Sequence, residues 1–151
     1  MTKLYLDIDG ALVTKDGDPA EGVAEFLRFA VSNFDCYWLS THCQGDGTRA
    51  FLYLVGKLPP ESVPDIKRVK PTSWATWKTD AIDFSGDFYW LDDNPFDTEL
   101  SVLRGHGTEP SNILSRLIKD KKIKSITAQH LLFGRVNKKQ YKKYLSEIAY
   151  I

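Results

Sequence analysis

Residues 3–12 read Lys-Leu-Tyr-Leu-Asp-Ile-Asp-Gly-Ala-Leu, an apolar run that ends in two acids followed by a glycine. This pattern is typical of a buried strand, predicted here over residues 3–9, with a turn at Gly10. Alternation along a strand places Asp7 and Asp9 on one side and directs Ile8 into apolar packing on the other. The stretch therefore predicts a strand that presents two carboxylates at its carboxyl end.

Two later apolar runs have the same design. Residues 34–39 (Phe-Asp-Cys-Tyr-Trp-Leu) lead into Ser40 and Thr41, and residues 87–91 (Asp-Phe-Tyr-Trp-Leu) lead into Asp92 and Asp93. Helical spacing of apolar residues predicts helices over 19–32 and 48–56, and a short helix is expected close to Lys78.

Strands that alternate with helices indicate an α/β fold, with a parallel sheet and helices on both faces. Ligands of such sheets bind outside the carboxyl ends of the strands. The polar residues that follow the three strands are therefore expected to converge at one edge.

The rest of the chain adds fewer signals. Residues 57–72 contain four prolines and are expected to be mostly irregular. Helices are predicted near 110–119 and 137–149, with a short strand near 122–126. A chain of 151 residues fits one domain, so residues 1–151 are treated as a single unit.

The sequence shows no signal peptide and no apolar run long enough to span a membrane, so we expect a cytoplasmic protein without membrane contact. Cys36 and Cys43 are expected to be reduced core residues, because no second Cys or Cys/His pair offers zinc-ligand spacing.

The formal net charge is zero, but it is unevenly distributed. Residues 1–103 hold 9 Lys/Arg against 17 Asp/Glu, and residues 104–151 hold 11 against 3. The basic C-terminal third is consistent with a nucleic acid or acidic partner, and also with an ordinary solvated face.

Four carboxylates at one sheet edge repel one another unless a hard cation neutralises them, and oxygen ligands of this kind suit Mg²⁺. One of Asp7 and Asp9 can attack phosphorus while the other moves a proton. Ser40 can offer its hydroxyl and the following amides, at Thr41 and beyond, to phosphate oxygens. Lys78 is the best-placed cation for the opposite side.

These segments resemble the four motifs of the haloacid dehalogenase (HAD) superfamily, in order and over about residues 3–95. Asp7-Ile-Asp9-Gly10-Ala-Leu is similar to the first motif, and Tyr-Trp-Leu-Ser40 to the second. Lys78 looks like the lysine of the third motif, although Lys67 and Lys70 lie in the same region. Tyr-Trp-Leu-Asp92-Asp93 is similar to the fourth.

The resemblance implies a three-layer, Rossmann-like fold and a magnesium-dependent phosphomonoester hydrolase. Asp7 would be the nucleophile, Asp9 the general acid/base, and Lys78 the residue that steadies the nucleophile and the transferring group. Ser40 would bind phosphate. The metal would be held by Asp7, the backbone carbonyl of Asp9, and the acids that end the fourth motif, Asp92 and Asp93.

Two features distinguish the chain from typical members of the family that it resembles. Ala11 stands where phosphatase members usually carry a threonine whose hydroxyl orients the acid/base aspartate. The short intervals from Asp9 to the first helix and from Ser40 to Lys78 leave no room for a substantial cap domain. A capless member resembles those that act on phosphate at the end of a nucleic acid or on a phosphoprotein.

Two other hypotheses concern the function of the whole chain, and one further residue has two interpretations. A non-catalytic binding or regulatory domain could keep the fold and the metal site, and Ala11 is the main point in its favour. A signalling receiver domain is disfavoured because the middle strand ends in Ser40 rather than in an acceptor aspartate. His42 is interpreted either as an extra phosphate contact or as an ordinary loop histidine.

Overall fold

The computed structural model of the protein describes residues 1–14, 16–20, 22–92 and 95–108. Three short strands, β1 (Lys3–Leu6), β2 (Asp35–Trp38) and β3 (Phe88–Leu91), form a parallel sheet in the order β2-β1-β3. Leu6 at the end of the central strand is in register with Trp38 on one side and Leu91 on the other. The three carboxyl ends therefore lie at the same edge, as the sequence predicts.

Alternate residues of each strand belong to two separate clusters of buried side chains. Leu4 and Leu6 of β1 join one cluster, whereas Tyr5 joins the other. Successive side chains of a strand point to opposite faces of the sheet, so the two clusters lie on its two faces. The sheet is consequently buried on both sides, which explains its nearly continuous apolar strands.

Helices α1 (Val23–Asn33) and α2 (Thr48–Val55) contribute apolar side chains to the first cluster. The predicted helix over 48–56 is confirmed, and the one over 19–32 begins later than predicted. Pro19 forms an isolated bridge with Val13 instead of opening the helix. The chain then enters α1 through Gly22, whose φ of 71° lies in the left-handed region that glycine adopts readily.

The segment predicted to be irregular contains a 3₁₀ turn at Pro60–Ser62 and the single-turn helix α3 (Val63–Ile66). The short helix expected near Lys78 is a 3₁₀ turn over Lys78–Ala81. Helix α4 (Asp97–Gly105) was not predicted, and its Leu103 joins the second cluster beside β3. The elements predicted near 110–119, 122–126 and 137–149 lie outside the described residues.

Among the residues that the structure describes, none of the helices has the length and apolar character that crossing a membrane requires. Cys36 and Cys43 are free and buried, as expected for core residues.

Candidate active site

Two buried carboxylates follow neighbouring strands at the carboxyl edge of the sheet. Asp7 comes directly after β1, and its backbone N–H donates to the Leu91 carbonyl at 2.8 Å. Asp92 comes directly after β3. Asp7 is 7% exposed and Asp92 is 2% exposed, so both acids are largely removed from water. A pair of buried acids requires a compensating cation.

The compensating cation in this structure is Lys78. Its ammonium nitrogen lies 2.7 Å from Oδ2 of Asp92 and 3.2 Å from Oδ1 of Asp7. The structure thus brings together Asp7, Lys78 and Asp92, three of the residues that the sequence analysis singled out. The alternative lysine Lys70 instead pairs with Asp35 at 2.7 Å, in a largely exposed contact on β2.

The electrostatics of this triad follow from burial and from mutual repulsion. Burial and the neighbouring Asp92 carboxylate raise the pKa of Asp7 to about 7, although the Lys78 ammonium opposes that rise. Burial by itself would lower the pKa of Lys78, but the two carboxylates outweigh it and hold that pKa above its ordinary value. Lys78 is therefore charged, while Asp7 ionises less readily than a free aspartate.

Glu99 of α4 fixes the position of Lys78, and the sequence reasoning missed it. One carboxylate oxygen of Glu99 accepts the Lys78 backbone N–H at 2.9 Å, and the other accepts the Phe96 N–H at 3.0 Å. Glu99 is only 2% exposed. An available signal was its place three residues after Phe96 at the start of a helix, where a glutamate often reaches back to the capping residue.

The contacts of Asp9 are separate from those of the triad that Asp7, Lys78 and Asp92 form. The strand predicted over residues 3–9 was too long, because β1 ends at Leu6 and the chain turns after Asp9; the Asp9 side chain remains 54% exposed. Its Oδ2 lies 2.7 Å from Nε2 of His42, and its Oδ1 accepts the Tyr53 hydroxyl at 2.7 Å. Burial by itself would raise the pKa of Asp9, but hydrogen bonds from His42 and Tyr53 hold it below its ordinary value. Asp9 is thus a carboxylate held by two donors.

The tight turn after Asp9 depends on glycine. Gly10 has a φ of 76°, and its N–H donates to the Val13 carbonyl at 2.7 Å. A side chain at this φ would be strained, which accounts for glycine at this position. Ile8, which lies between the two acids in the sequence, is completely buried in the first apolar cluster, as predicted.

The two predicted phosphate-binding residues occupy different environments. Ser40 is completely buried, and its Oγ accepts the backbone N–H of His42 at 3.1 Å. Thr41 is exposed. Thr41 is therefore accessible at the surface of this loop, whereas Ser40 orders the backbone that carries His42.

A groove of about 420 Å³ opens beside this loop. Its walls come from the loop after β2 and the first turns of α2, and they mix polar side chains with one exposed leucine. The lining residues are Thr41, His42, Gln44, Asp46, Thr48, Arg49 and Leu52.

The acids at the carboxyl edge of the sheet provide oxygen donors of the kind that Mg²⁺ prefers. In the ranges that the structure describes, no group of three or more His, Cys, Asp or Glu side chains could hold a metal ion. Asp7 and Asp92 still offer paired, mutually repelling oxygen donors, and Mg²⁺ is typically bound by one or two carboxylates plus waters. These two residues fit that chemistry, and the predicted ligand Asp93 lies outside the described residues.

The chain matches no protein-family model, and neither the curated proteins nor the solved structures contain one that is detectably similar to it.

Proposed function

We propose that this protein is a magnesium-dependent phosphomonoester hydrolase that works through an aspartyl-phosphate on Asp7. The observation that carries the proposal is the buried triad, in which the Lys78 ammonium contacts the carboxylates of both Asp7 and Asp92. An acid that leads out of the central strand, beside a cation and a second acid, is suited to phosphoryl transfer.

The proposal includes membership of the HAD superfamily with a three-layer, Rossmann-like, capless architecture over residues 1–151. It rests on the order of the four motifs and on the parallel sheet, whose strands β1, β2 and β3 precede Asp7, Ser40 and Asp92. The described interval between β2 and Lys78 contains only α2, α3 and one 3₁₀ turn.

In the first step, a carboxylate oxygen of Asp7 attacks the phosphorus atom of the substrate. The bond from phosphorus to the leaving-group oxygen breaks, and that oxygen keeps the electron pair and receives the proton that Asp9 carries when it enters this step protonated. Lys78 holds the Asp7 carboxylate in place and offsets negative charge on the transferring group. The groups proposed to bind the phosphate oxygens are Thr41 and the amides of its loop, which the buried Ser40 holds in order.

In the second step, water attacks the aspartyl-phosphate. Asp9 takes a proton from the water, the bond between phosphorus and Asp7 breaks, and the electron pair returns to the Asp7 carboxylate. Inorganic phosphate leaves, and Asp7 is regenerated. Asp9 gives up one proton in the first step and recovers one in the second, so the cycle is balanced.

The Asp7 and Asp92 side chains, the Asp9 backbone carbonyl and Asp93 are the groups proposed to hold Mg²⁺. When bound, the ion supplies positive charge that stabilises the phosphate oxygens and relieves the repulsion between the acids.

The proposed substrate class is a macromolecular phosphomonoester, either at the end of a nucleic acid or on a phosphoprotein. Without a cap, the site depends on its substrate to exclude water. The exposed carboxylate of Asp9 and the open groove beside His42 support this class, because a large substrate can cover both.

The test is release of inorganic phosphate from p-nitrophenyl phosphate, phosphorylated oligonucleotides and phosphopeptides, with and without Mg²⁺. We expect turnover by the wild type that is lost on chelation and in Asp7→Asn. The ranking of the three substrates then identifies the class. If the folded wild type leaves all three intact in Mg²⁺, the enzyme proposal is rejected in favour of a non-catalytic binding or regulatory domain that keeps the metal site.

A further inference from the structure

Asp9 is held by a preassembled pair of side chains that come from elsewhere in the sequence. His42 belongs to the loop after β2, and Tyr53 lies near the end of α2. Each places one polar atom 2.7 Å from a different oxygen of the Asp9 carboxylate. A carboxylate can only accept hydrogen bonds, so His42 donates through a protonated Nε2.

The two donors also support each other. The His42 ring stacks on the Tyr53 ring, with 4.0 Å between centroids and 19° between planes. Lys57 lies over the same tyrosine, its Nζ 5.1 Å from the ring centroid. The backbone N–H of His42 donates to Ser40 Oγ, which ties the pair to the loop after β2. The arrangement fixes an aspartate side chain that is otherwise more than half exposed.

We infer that His42 and Tyr53 are the positioning residues that hold Asp9 as the general base for hydrolysis of the aspartyl-phosphate. This inference rests on the proposed function. Ala11 provides no hydroxyl to orient Asp9, and the stacked pair supplies two donors for that purpose. Two of the roughly four acceptor sites of the carboxylate are used, which leaves others for the attacking water.

Hydrolysis of the aspartyl-phosphate forms one bond, breaks another and transfers one proton. The water oxygen forms a bond to phosphorus, the bond from phosphorus to the Asp7 oxygen breaks, and the proton released by the water goes to Asp9. Both contacts are made to the carboxylate oxygens, one to each, so together they fix the orientation in which Asp9 meets the attacking water.

The experiment measures steady-state and burst kinetics on p-nitrophenyl phosphate for wild type, Tyr53→Phe, His42→Ala and His42→Gln. The p-nitrophenolate leaving group departs with little help from an acid, so kcat/KM reports the attack by Asp7. In contrast, kcat falls if hydrolysis of the aspartyl-phosphate slows. We expect kcat to drop about 10-fold or more in Tyr53→Phe and His42→Ala, with kcat/KM nearly unchanged. A burst of p-nitrophenol, stoichiometric with enzyme, should appear as the aspartyl-phosphate accumulates.

Tyr37→Phe is the matched control. The Tyr37 hydroxyl donates to Asp35 at 2.9 Å, and Lys70 lies over its ring at 5.4 Å, so its surroundings imitate those of Tyr53 away from the site. This variant should keep the wild-type kinetics. His42→Gln retains a side-chain donor and should recover part of the kcat lost in His42→Ala.

The outcomes separate this inference from the function on which it depends. Equal losses of kcat and kcat/KM would mean that the pair only supports folding, and unchanged kinetics in Tyr53→Phe and His42→Ala would show that Asp9 needs no such holder. Either result overturns the inference about His42 and Tyr53, while turnover by the wild type still supports the proposed phosphohydrolase activity. Absence of turnover by the folded wild type overturns both.

Discussion

The ammonium nitrogen of Lys78 lies 2.7 Å from Oδ2 of Asp92, in an ion pair whose side chains are only 13% and 3% exposed. Burial on this scale makes the pair costly to break, because the remaining charge cannot be solvated. The same ammonium reaches Asp7 at 3.2 Å, so one lysine offsets two buried acids.

Lys78→Met is therefore expected to lower the free energy of unfolding by about 3 kcal/mol at pH 8 in the absence of Mg²⁺, because removal of one partner strands buried charge. Urea denaturation measures this change. Lys70→Met is the control: its pair with Asp35 is 57% and 25% exposed, so its loss should change the free energy of unfolding far less than the loss of Lys78 does. Similar small losses in both variants would contradict a buried charge cluster.

Asp7→Asn is expected to stabilise the metal-free protein at high pH. The pKa of Asp7 is raised from 3.8 to about 7 by burial and by the neighbouring Asp92, so the unfolded chain loses this proton first as the pH rises. Ionisation of Asp7 therefore costs the folded wild type stability between about pH 4 and pH 7, by at most about 4 kcal/mol. Asparagine cannot ionise and escapes that loss.

The measurement for Asp7→Asn is a series of urea denaturations from pH 4 to pH 8 with a chelator present. The difference in unfolding free energy between variant and wild type should be near zero at pH 4, grow through pH 7 and then level off. A difference that is independent of pH would show that Asp7 ionises normally in the folded protein.

The sequence predicted the sheet and its acidic edge because these depend on local patterns. Apolar runs of strand length stop at Asp7, Ser40 and Asp92, and parallel strands share one carboxyl edge. The start of α1 was mispredicted because Pro19 is recruited into a bridge with Val13, a contact that local helix-start signals do not contain.

The support of Asp9 could not be read from the sequence. His42 and Tyr53 are 33 and 44 residues away from Asp9, and only the packing of α2 against the loop after β2 brings them to its carboxylate. The same holds for Glu99, which meets the Lys78 backbone across 21 residues. Residue type and spacing identify the groups that can react, whereas long-range packing determines which groups hold them.

The two cysteines are expected to be unreactive in the folded protein. Burial, with a smaller contribution from Asp35, raises the pKa of Cys36 to about 12, and burial also raises the pKa of Cys43. Because the thiolate is the reactive form, Ellman's reagent should modify neither residue at pH 8 until urea unfolds the chain. Gly86→Cys is the control, since this exposed position has open space around it and should react at once. Rapid labelling of the wild type would contradict the buried placement.

Mg²⁺ is expected to raise the thermal stability of the wild type, because a ligand that binds only the folded state stabilises it by mass action. At a concentration about 100 times the dissociation constant, the gain is about 2.7 kcal/mol, which corresponds to several degrees in Tm. Asp92→Asn should abolish the rise, since it removes one of the two buried carboxylates. Asp87→Asn, an exposed change just before the start of β3, should keep it. Equal Mg²⁺ shifts in all three proteins would locate the binding elsewhere and remove the metal from the proposed site.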